Sequence, residues 1–344
     1  MNSRERVLNV FEGKGIDRLA LMPITMQFAC RLIGKKYKDY VTDYRVLVYS
    51  QICVVEQFDF DHVSCISDPT REASDLGGAV IMEEDSVPGM DYANALLADT
   101  SSLLKLQIPD PFADGSRMFD RIQAAELFKK EIGSEKIIEG WVEGPCAEAA
   151  DLRGINALML DFYEDPAFVR DLFAFTTELG WQFAKAQIDA GVDVVGVGDA
   201  VCSLIGPRLY REFVWPCEKA LIDKIHQQGA AVRLHICGNI VDLLEDIARL
   251  GCEFVDVDSP VSMADARQKL GSSQVIAGNI NPVAVLRDAT PEAVYREVEQ
   301  CHRQAGANFI VAAGCEIVSD TADENVRALV QYALSHSASP FESS

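Results

Sequence analysis

Three residues with zinc-binding side chains follow apolar runs late in the chain. His235 and Cys237 stand two residues apart at the end of one run, and Cys315 directly follows another. Residues i and i+2 of a strand point to the same side, so we expect the imidazole and the thiol to converge. Asp256 and Asp258 end a third run. This set suits tetrahedral zinc, although spacing alone leaves open that the same residues only pack in the core.

Two further carboxylates stand where a strand would end. Asp68 follows an apolar run within Ser67-Asp68-Pro69-Thr70, and Asp199 follows Gly196-Val197-Gly198. Each could line a pocket, and each could equally form a turn. The two glycines favour the pocket for Asp199, because they let the backbone approach a ligand.

The elements that would position these residues alternate between short β-branched runs and longer segments of helical spacing. Eight strands alternating with helices predict an α/β fold, and eight is the number that closes a (β/α)8 TIM-type barrel. The candidate strands are Leu19–Ile24, His62–Ile66, Lys136–Trp141, Val192–Val197, Ala231–Ile236, Glu253–Val257, Gln274–Ala277 and Asn308–Ala312. The candidate helices include Pro166–Ala190, Pro207–Gln228, Ile240–Leu250, Pro291–Ala305 and Ala322–Ser335.

We predict one barrel domain over residues 1–344, with an N-terminal helical extension and an inserted hairpin near residues 75–90. In such a barrel, residues at the carboxyl ends of the strands face the active-site mouth. The alternative is an open, doubly wound sheet. No glycine-rich phosphate loop follows the first strand, which disfavours a nucleotide-binding version of that fold.

Composition excludes several classes of function. The chain carries 31 Lys and Arg against 53 Asp and Glu, a formal charge of −22, which would repel nucleic acid and anionic membrane surfaces. No apolar run is long enough to span a bilayer. Its 10 cysteines lack a secreted-domain spacing and indicate free thiols. We therefore expect a cytoplasmic enzyme that binds neither nucleic acid nor membrane.

Taken together, the motifs resemble the uroporphyrinogen decarboxylase superfamily and, within it, the cobamide-dependent methyltransferase branch. The specific part is the His-x-Cys followed by a distant Gly-Cys-Glu; the other segments mark only the superfamily. The segments are Gly15-Ile16-Asp17-Arg18, Glu143-Gly144-Pro145, Gly191-Val192-Asp193, Gly198-Asp199-Ala200, Gly206-Pro207, Tyr210-Arg211-Glu212-Phe213, His235-Ile236-Cys237-Gly238-Asn239, Gly278-Asn279-Ile280-Asn281-Pro282, Gly314-Cys315-Glu316-Ile317 and Glu324-Asn325-Val326.

The resemblance implies a single β/α barrel whose zinc is held by one His and two Cys. Matched position by position, these ligands are His235, Cys237 and Cys315. Asp258 is the nearest match for a fourth, carboxylate ligand, with Asp256 as its rival; a Glu is more usual there. Asp68, Asp199 and Tyr210 are the expected catalytic or pocket-lining residues.

The implied activity moves a methyl group from a methylated corrinoid, bound to a small partner protein, to a thiol such as coenzyme M or to tetrahydrofolate. The cofactors would be Zn²⁺ and the partner's methylcobamide. One alternative is a metal-independent carboxy-lyase resembling uroporphyrinogen decarboxylase, with Asp68 essential. The N-terminal stretch, however, lacks the arginine cluster that would hold a polycarboxylate. A second alternative is a non-catalytic protein that binds a corrinoid or a metal.

Overall fold

Eight parallel strands form the centre of the fold in the computed structural model, which describes residues 1–337. The barrel order is β1-β10-β9-β8-β7-β6-β5-β2, with every neighbouring pair parallel, and β3 pairs with β4 in a separate antiparallel hairpin. The strands are β1 Ala20–Leu21, β2 His62–Ser64, β3 Val80–Ile81, β4 Gly89–Met90, β5 Ile137–Glu143, β6 Val194–Gly198, β7 Ala231–His235, β8 Phe254–Val257, β9 Val275–Ile280 and β10 Phe309–Ala313.

Asp61 brings the two end strands of this sheet together. Its backbone N–H donates to the carbonyl of Leu21 at 2.9 Å, and its carboxylate accepts the N–H of Leu21 at 2.8 Å. The same buried carboxylate pairs with Arg6 at 2.6 Å and with Arg18 at 2.9 Å. The sheet is therefore a nearly closed barrel, which confirms the predicted TIM-type fold over the open sheet, and the pair with Arg6 anchors the N-terminal helix across its amino-terminal end.

Helices surround the barrel, as expected for strands that are buried on both faces. In chain order the α-helices are α1 Ser3–Phe11, α2 Gln27–Leu32, α3 Tyr37–Thr42, α4 Tyr44–Phe58, α5 Arg71–Asp75, α6 Arg117–Glu131, α7 Pro145–Arg153, α8 Ile155–Glu164, α9 Pro166–Asp189, α10 Cys202–Leu209, α11 Trp215–Gln227, α12 Leu244–Ile247, α13 Met263–Leu270, α14 Pro291–Ala305 and α15 Asp323–Ser335. Within residues 1–337, no helix is long and apolar enough to cross a membrane.

Three predicted elements differ from those observed. The expected helix over Pro207–Gln228 contains a π-helical turn over Tyr210–Val214, between the end of α10 and α11, and the kink at Gly206, with φ +71°, comes just before it. The expected helix over Ile240–Leu250 is reduced to the four residues of α12. Strand β1 keeps only two residues of Leu19–Ile24. Residues 338–344, the end of the predicted domain, lie outside the described residues.

The inserted hairpin is present where the sequence predicts it. β3 and β4 pair Val80 with Met90 and Ile81 with Gly89. The turn between them is held against the region of α2 and α3, because Gln27 and Lys36 both bond to Asp85. The hairpin therefore lies beside the carboxyl-terminal mouth of the barrel, where Val87 reaches the central cavity.

Candidate metal centre and mouth of the barrel

The three predicted zinc ligands meet at the mouth of the barrel. The Nε2 atom of His235 lies 3.0 Å from Sγ of Cys237 and 3.8 Å from Sγ of Cys315. The two sulfur atoms are 3.8 Å apart. With Zn–S bonds near 2.3 Å, a tetrahedral centre separates two sulfurs by roughly 3.8 Å and a sulfur from an imidazole nitrogen by roughly 3.6 Å. The separations of Cys315 from the other two donors match these values, and the three donor atoms fit one zinc ion once the 3.0 Å distance between His235 and Cys237 widens by roughly 0.6 Å.

The local sequence explains how residues 78 positions apart come into contact. His235 ends β7, and Cys315 lies two residues beyond β10. Gly314 lets that turn approach the end of β8: a Cβ added there would lie 2.6 Å from the backbone nitrogen of Ser259 and 2.8 Å from the Asp258 carboxylate. A larger residue at 314 would push the Cys315 thiol away from Cys237.

Burial and the hydrogen bonds within the cluster shift the pKa values of its three donor groups in different directions. The hydrogen bond with Cys237 lowers the pKa of Cys315 to about 4, against the opposing effect of burial. The same bond, with burial, raises the pKa of Cys237. Burial alone would lower the pKa of His235, but Cys237 and Asp256 hold it well above its usual value. The lowered pKa favours the thiolate form of Cys315, the form in which cysteine binds metals.

Asp256 orients the imidazole. Its Oδ2 atom accepts hydrogen bonds from Nδ1 of His235 at 2.9 Å and from Nε of Arg233 at 2.7 Å. Arg233 is itself buried and donates to Glu139 at 3.0 Å. Since Nδ1 is held by the carboxylate, Nε2 is the nitrogen that faces the two sulfurs, as in metal sites where a carboxylate fixes a ligating histidine. Asp256 therefore contacts the histidine and not the centre of the three donors.

Asp258, the expected fourth ligand, lies beside the cluster with both oxygens engaged. Oδ2 accepts the N–H of Gly238 at 2.7 Å, and Oδ1 accepts the N–H of Ser259 at 2.6 Å. The donor atoms of His235, Cys237 and Cys315 all lie within 4.8 Å of one another, and neither oxygen of Asp258 belongs to that group. Asp258 holds the turns after β7 and β8 together in this arrangement, and its role as a ligand stays a prediction.

A cavity of about 150 Å³ opens above the three donors. Much of its wall is apolar, and its ionisable groups are the three donors and three acidic side chains, of which burial raises the pKa of Glu143 and that of Glu316. The lining residues are Ile24, Met26, Ile66, Asp68, Pro69, Val87, Trp141, Glu143, Gly198, Ala200, His235, Cys237, Cys315 and Glu316. Of the predicted catalytic residues, only Asp68 is among them.

Asp68 is fixed by an arginine that the sequence analysis missed. Arg117 donates to its two oxygens at 3.0 and 2.6 Å, and Thr70 donates from its hydroxyl at 2.7 Å. Burial alone would raise the pKa of Asp68, but Arg117 holds it well below its usual value. The carboxylate is therefore ionised and held in place on the cavity wall.

Asp199 and Tyr210 lie outside the cavity wall, in a buried polar cluster with Cys146, Cys202 and Glu218. Asp199 accepts the N–H of Cys146 at 3.3 Å and that of Ala147 at 2.7 Å, which caps α7. Tyr210 donates to Glu218, whose other oxygen lies 3.9 Å from Cys202. Burial raises the pKa of Asp199 to about 6. In this arrangement both residues hold helices beneath the mouth.

Trp141 forms part of the apolar wall and explains the glycines of β6. A Cβ on Gly196 would lie 2.2 Å from the indole, and one on Gly198 would lie 3.0 Å from its nitrogen. Both glycines thus make room for the indole, and Gly198 also lines the cavity. The ring lies 6.1 Å from the imidazole of His235. A tryptophan on a candidate strand facing a Gly-x-Gly strand is the signal that would have identified it.

The comparisons with known proteins agree with this geometry. The family described as Uroporphyrinogen decarboxylase (URO-D) matches residues 2–336. The chain belongs to this family. It is 29% identical over 228 residues to the methylcobamide:CoM methyltransferase MtbA of Methanosarcina mazei, and this alignment covers 65% of each chain. It is 24% identical to the methylcobamide:CoM methyltransferase MtaA of Methanosarcina barkeri, over 95% of this chain and 96% of that one.

These relatives confirm the expected resemblance to the cobamide-dependent branch of the uroporphyrinogen decarboxylase family. The chain spans less than two thirds of the length of the MtbA proteins from M. mazei and M. acetivorans, at 65% and 63%. A solved structure described as a methyltransferase from M. mazei superposes with a TM-score of 0.88 at 20% identity, covering 97% of this chain and 98% of that one. That superposition supports the barrel fold.

Proposed function

We propose that this chain is a methyltransferase that moves a methyl group from a methylated corrinoid, carried by a partner protein, to a thiol. The observation that carries the proposal is the convergence of Nε2 of His235 with the sulfurs of Cys237 and Cys315, at 3.0–3.8 Å, at the mouth of the barrel. The relatives named for methylcobamide:CoM methyl transfer support it. Residues 1–344 would act as one barrel domain.

The three donors would hold zinc, and their separations support a tetrahedral ion with one position left for the acceptor. Zinc, when bound there, would lower the pKa of the acceptor thiol and keep it as a nucleophilic thiolate. Asp256 fixes the histidine so that Nε2 faces the ion. Asp258, close by on the turn after β8, remains our candidate for the fourth position before the acceptor arrives.

In the proposed reaction the acceptor thiol would release its proton to solvent, and its sulfur would bond to the methyl carbon of the corrinoid. The corrinoid would be the leaving group and would keep the electron pair of the bond that breaks. The apolar wall that includes Met26 and Trp141 would exclude water from the thiolate. The corrin ring is too large for a cavity of about 150 Å³, so the partner would present it at the mouth, over the carboxyl ends of the strands.

Asp68 would help to fix the shape of the wall through its pair with Arg117. Asp199 and Tyr210 would act from beneath the cavity, by holding α7 and the π-helical turn in place. The same small cavity favours a small thiol over tetrahydrofolate. No arginine of residues 1–337 is among the residues that line it, which disfavours a polycarboxylate substrate and with it the carboxy-lyase alternative.

The test combines metal content with turnover. Protein purified without chelator should contain one zinc per chain and should demethylate methylcobalamin in the presence of a thiol. Cys315→Ala should lose both zinc and activity, whereas Cys53→Ala, at a half-buried cysteine on α4, should keep both.

Wild-type rates in Cys315→Ala would refute the zinc mechanism. Stoichiometric zinc without turnover of any thiol would point to the non-catalytic binding protein. Wild-type protein that binds no zinc even after supplementation would favour the carboxy-lyase alternative, in which Asp68 is essential.

A further inference from the structure

We propose that the proton of the acceptor thiol leaves the cavity through a carboxyl row, formed by Glu143, Glu148 and Asp151, and reaches solvent beside Tyr92. This inference rests on the proposed function and deepens it, because it assigns the path of the thiol proton to residues of this chain. Much of the cavity wall is apolar and the corrin ring would cover the mouth, so the proton needs a path other than the mouth.

Glu143, at the end of β5, begins the carboxyl row because it lines the cavity above the three donors. Arg71 donates to one of its oxygens at 3.2 Å, and Glu72 accepts its backbone N–H at 2.9 Å. Asp151 and Asp199 also face it. Burial raises the pKa of Glu143 well above its usual value. The protonated form is therefore favoured, and it can pass its proton on as it receives another.

Glu148 is the middle member of the row and has no hydrogen-bond partner of its own. It is 1% exposed, and neither of its carboxyl oxygens has a partner among residues 1–337. Glu72, Asp151, Glu143 and Arg71 face it, and burial raises its pKa well above its usual value. An ionised carboxylate without a partner is costly at this depth, so the neutral acid is favoured, and a neutral carboxyl can both donate and accept a proton.

Asp151 connects the row to the surface. It lies three residues after Glu148 on α7, which places both side chains on the same face of the helix. Its Oδ1 atom accepts the hydroxyl of Tyr92 at 3.2 Å, and Tyr92 is 45% exposed. Burial raises the pKa of Asp151 to about 7. Near neutral pH this carboxyl is therefore partly ionised, so it can accept a proton from the interior and release it to water.

The arrangement of these groups suits a proton better than a metal ion. Within residues 1–337, the sets of three donors whose ligating atoms lie within 4.8 Å of one another include none of the carboxyl row. A cation is also already present: Arg71 pairs with Glu72 at 3.5 Å, and both face Asp151, as does Asp68. The row is thus extended from the cavity toward the surface instead of gathered around one point.

In the proposed transfer each proton moves by one position along the row. The S–H bond of the acceptor breaks, its electron pair stays on sulfur, and the proton bonds to Glu143. Glu143 gives the proton it carried to Glu148, and Glu148 gives its own to ionised Asp151. Asp151 then releases a proton to water beside Tyr92. Each carboxyl ends in the protonation state in which it began, and no oxidant or reductant is needed.

The test varies whether the acceptor brings a proton. Zinc-loaded wild type, Glu148→Gln and Asp151→Asn would be assayed with free methylcobalamin and either 2-mercaptoethanesulfonate or 2-mercaptoethanol. The assays would be run at about pH 6.5 and about pH 9.5, on either side of the pKa of roughly 8.5 of an ordinary thiol. At the lower pH most of the acceptor is protonated, and kcat of each variant should be at least about tenfold below wild type. At the higher pH most of it arrives as thiolate, and each variant should come within about twofold of wild type.

Glu139→Gln is the matched control. Glu139 is a buried glutamate on the same strand as Glu143, it pairs with Arg233 at 3.0 Å, and it does not line the cavity. Its kcat relative to wild type should be the same at both pH values, because it lies outside the carboxyl row.

The outcomes separate this inference from the proposed function. If Glu148→Gln and Asp151→Asn match wild type at the lower pH, or are slowed equally at both pH values, the relay is overturned and methyl transfer to a thiol still stands. If zinc-loaded wild type methylates neither thiol at either pH, the proposed function fails and the relay fails with it.

Discussion

Replacing Asp256 by Asn should weaken zinc binding while leaving the fold in place. One oxygen of Asp256 accepts both the His235 and the Arg233 hydrogen bonds, and the other oxygen has no partner. An amide can therefore keep both acceptor contacts while it loses the negative charge and places a buried NH2 group, without an acceptor, where Oδ1 lies. Carboxylates that hold a ligating histidine typically contribute roughly 10–100-fold to metal affinity, or about 1.4–2.7 kcal/mol. Because the geometry survives, we expect the lower part of this range, near tenfold.

The matched control is Glu139→Gln. Glu139 is as buried as Asp256, pairs with the same Arg233 at 3.0 Å, and also has one unpartnered oxygen, but it does not contact the imidazole. Zinc affinity would be measured by competition with a chromophoric chelator, with circular dichroism to verify folding. We expect D256N to bind zinc about tenfold more weakly than E139Q. Equal affinities in the two variants would show that Asp256 acts only by neutralising Arg233, and our reasoning would be wrong.

Three further predictions concern the supports of the site. Gly196→Ala should lower the free energy of unfolding by about 1–3 kcal/mol in denaturant melts, because the added Cβ meets the indole ring of Trp141. Gly89→Ala is the control: its Cβ would enter open space, so the free energy of unfolding should change by less than about 0.5 kcal/mol. Equal effects of the two substitutions would contradict the packing argument. Arg117→Met should lower the free energy of unfolding by about 3–5 kcal/mol, because buried Asp68 loses its ion-pair partner. The additional change Asp68→Asn should recover part of this stability. No recovery would show that Arg117 stabilises the fold by packing alone. Burial raises the pKa of Asp151 to about 7, above the roughly 3.9 of an Asp in an unfolded chain. The folded state therefore favours the protonated side chain, whose contribution to stability is complete below about pH 4 and is lost as the pH rises to about 7. Stability should therefore fall less between pH 4 and 7 in Asp151→Asn than in the wild type, and parallel curves would exclude this role.

The convergence of His235, Cys237 and Cys315 was predictable because each lies at or just beyond the end of a strand, whereas their interpretation as zinc ligands came from the family resemblance. In a parallel barrel all carboxyl ends face one rim, so the apolar runs before His235 and Cys315 were sufficient to place both residues at the mouth. The two-residue spacing then brought Cys237 toward the same side. None of these steps required a knowledge of distant contacts.

The contacts of Asp199, Arg117 and Asp256 were not predictable in the same way. Asp199 directly follows the last residue of β6, and it turns toward the backbone of α7 instead of the cavity. Arg117 comes from a helix 49 residues beyond Asp68, and no local pattern connects them. Asp256 required the register between β7 and β8, which places it directly beside His235. Sequence periodicity fixes the face of a strand, but it does not report which side chain of another element fills the space opposite.

The glycines of β6 help to set the size of the space that an acceptor could occupy above the three donors. Gly196 and Gly198 have no side chains on the face where Trp141 lies, so the indole can sit against the backbone of the neighbouring strand. Any Cβ at Gly196 would displace the ring, and the ring already forms part of the cavity wall. The size of the space above the three donors is therefore set by a strand that contributes no metal ligand. If Gly196→Ala pushes the indole into the cavity, the bulkier of two neutral thiols should lose activity first, while zinc binding by His235, Cys237 and Cys315 should persist.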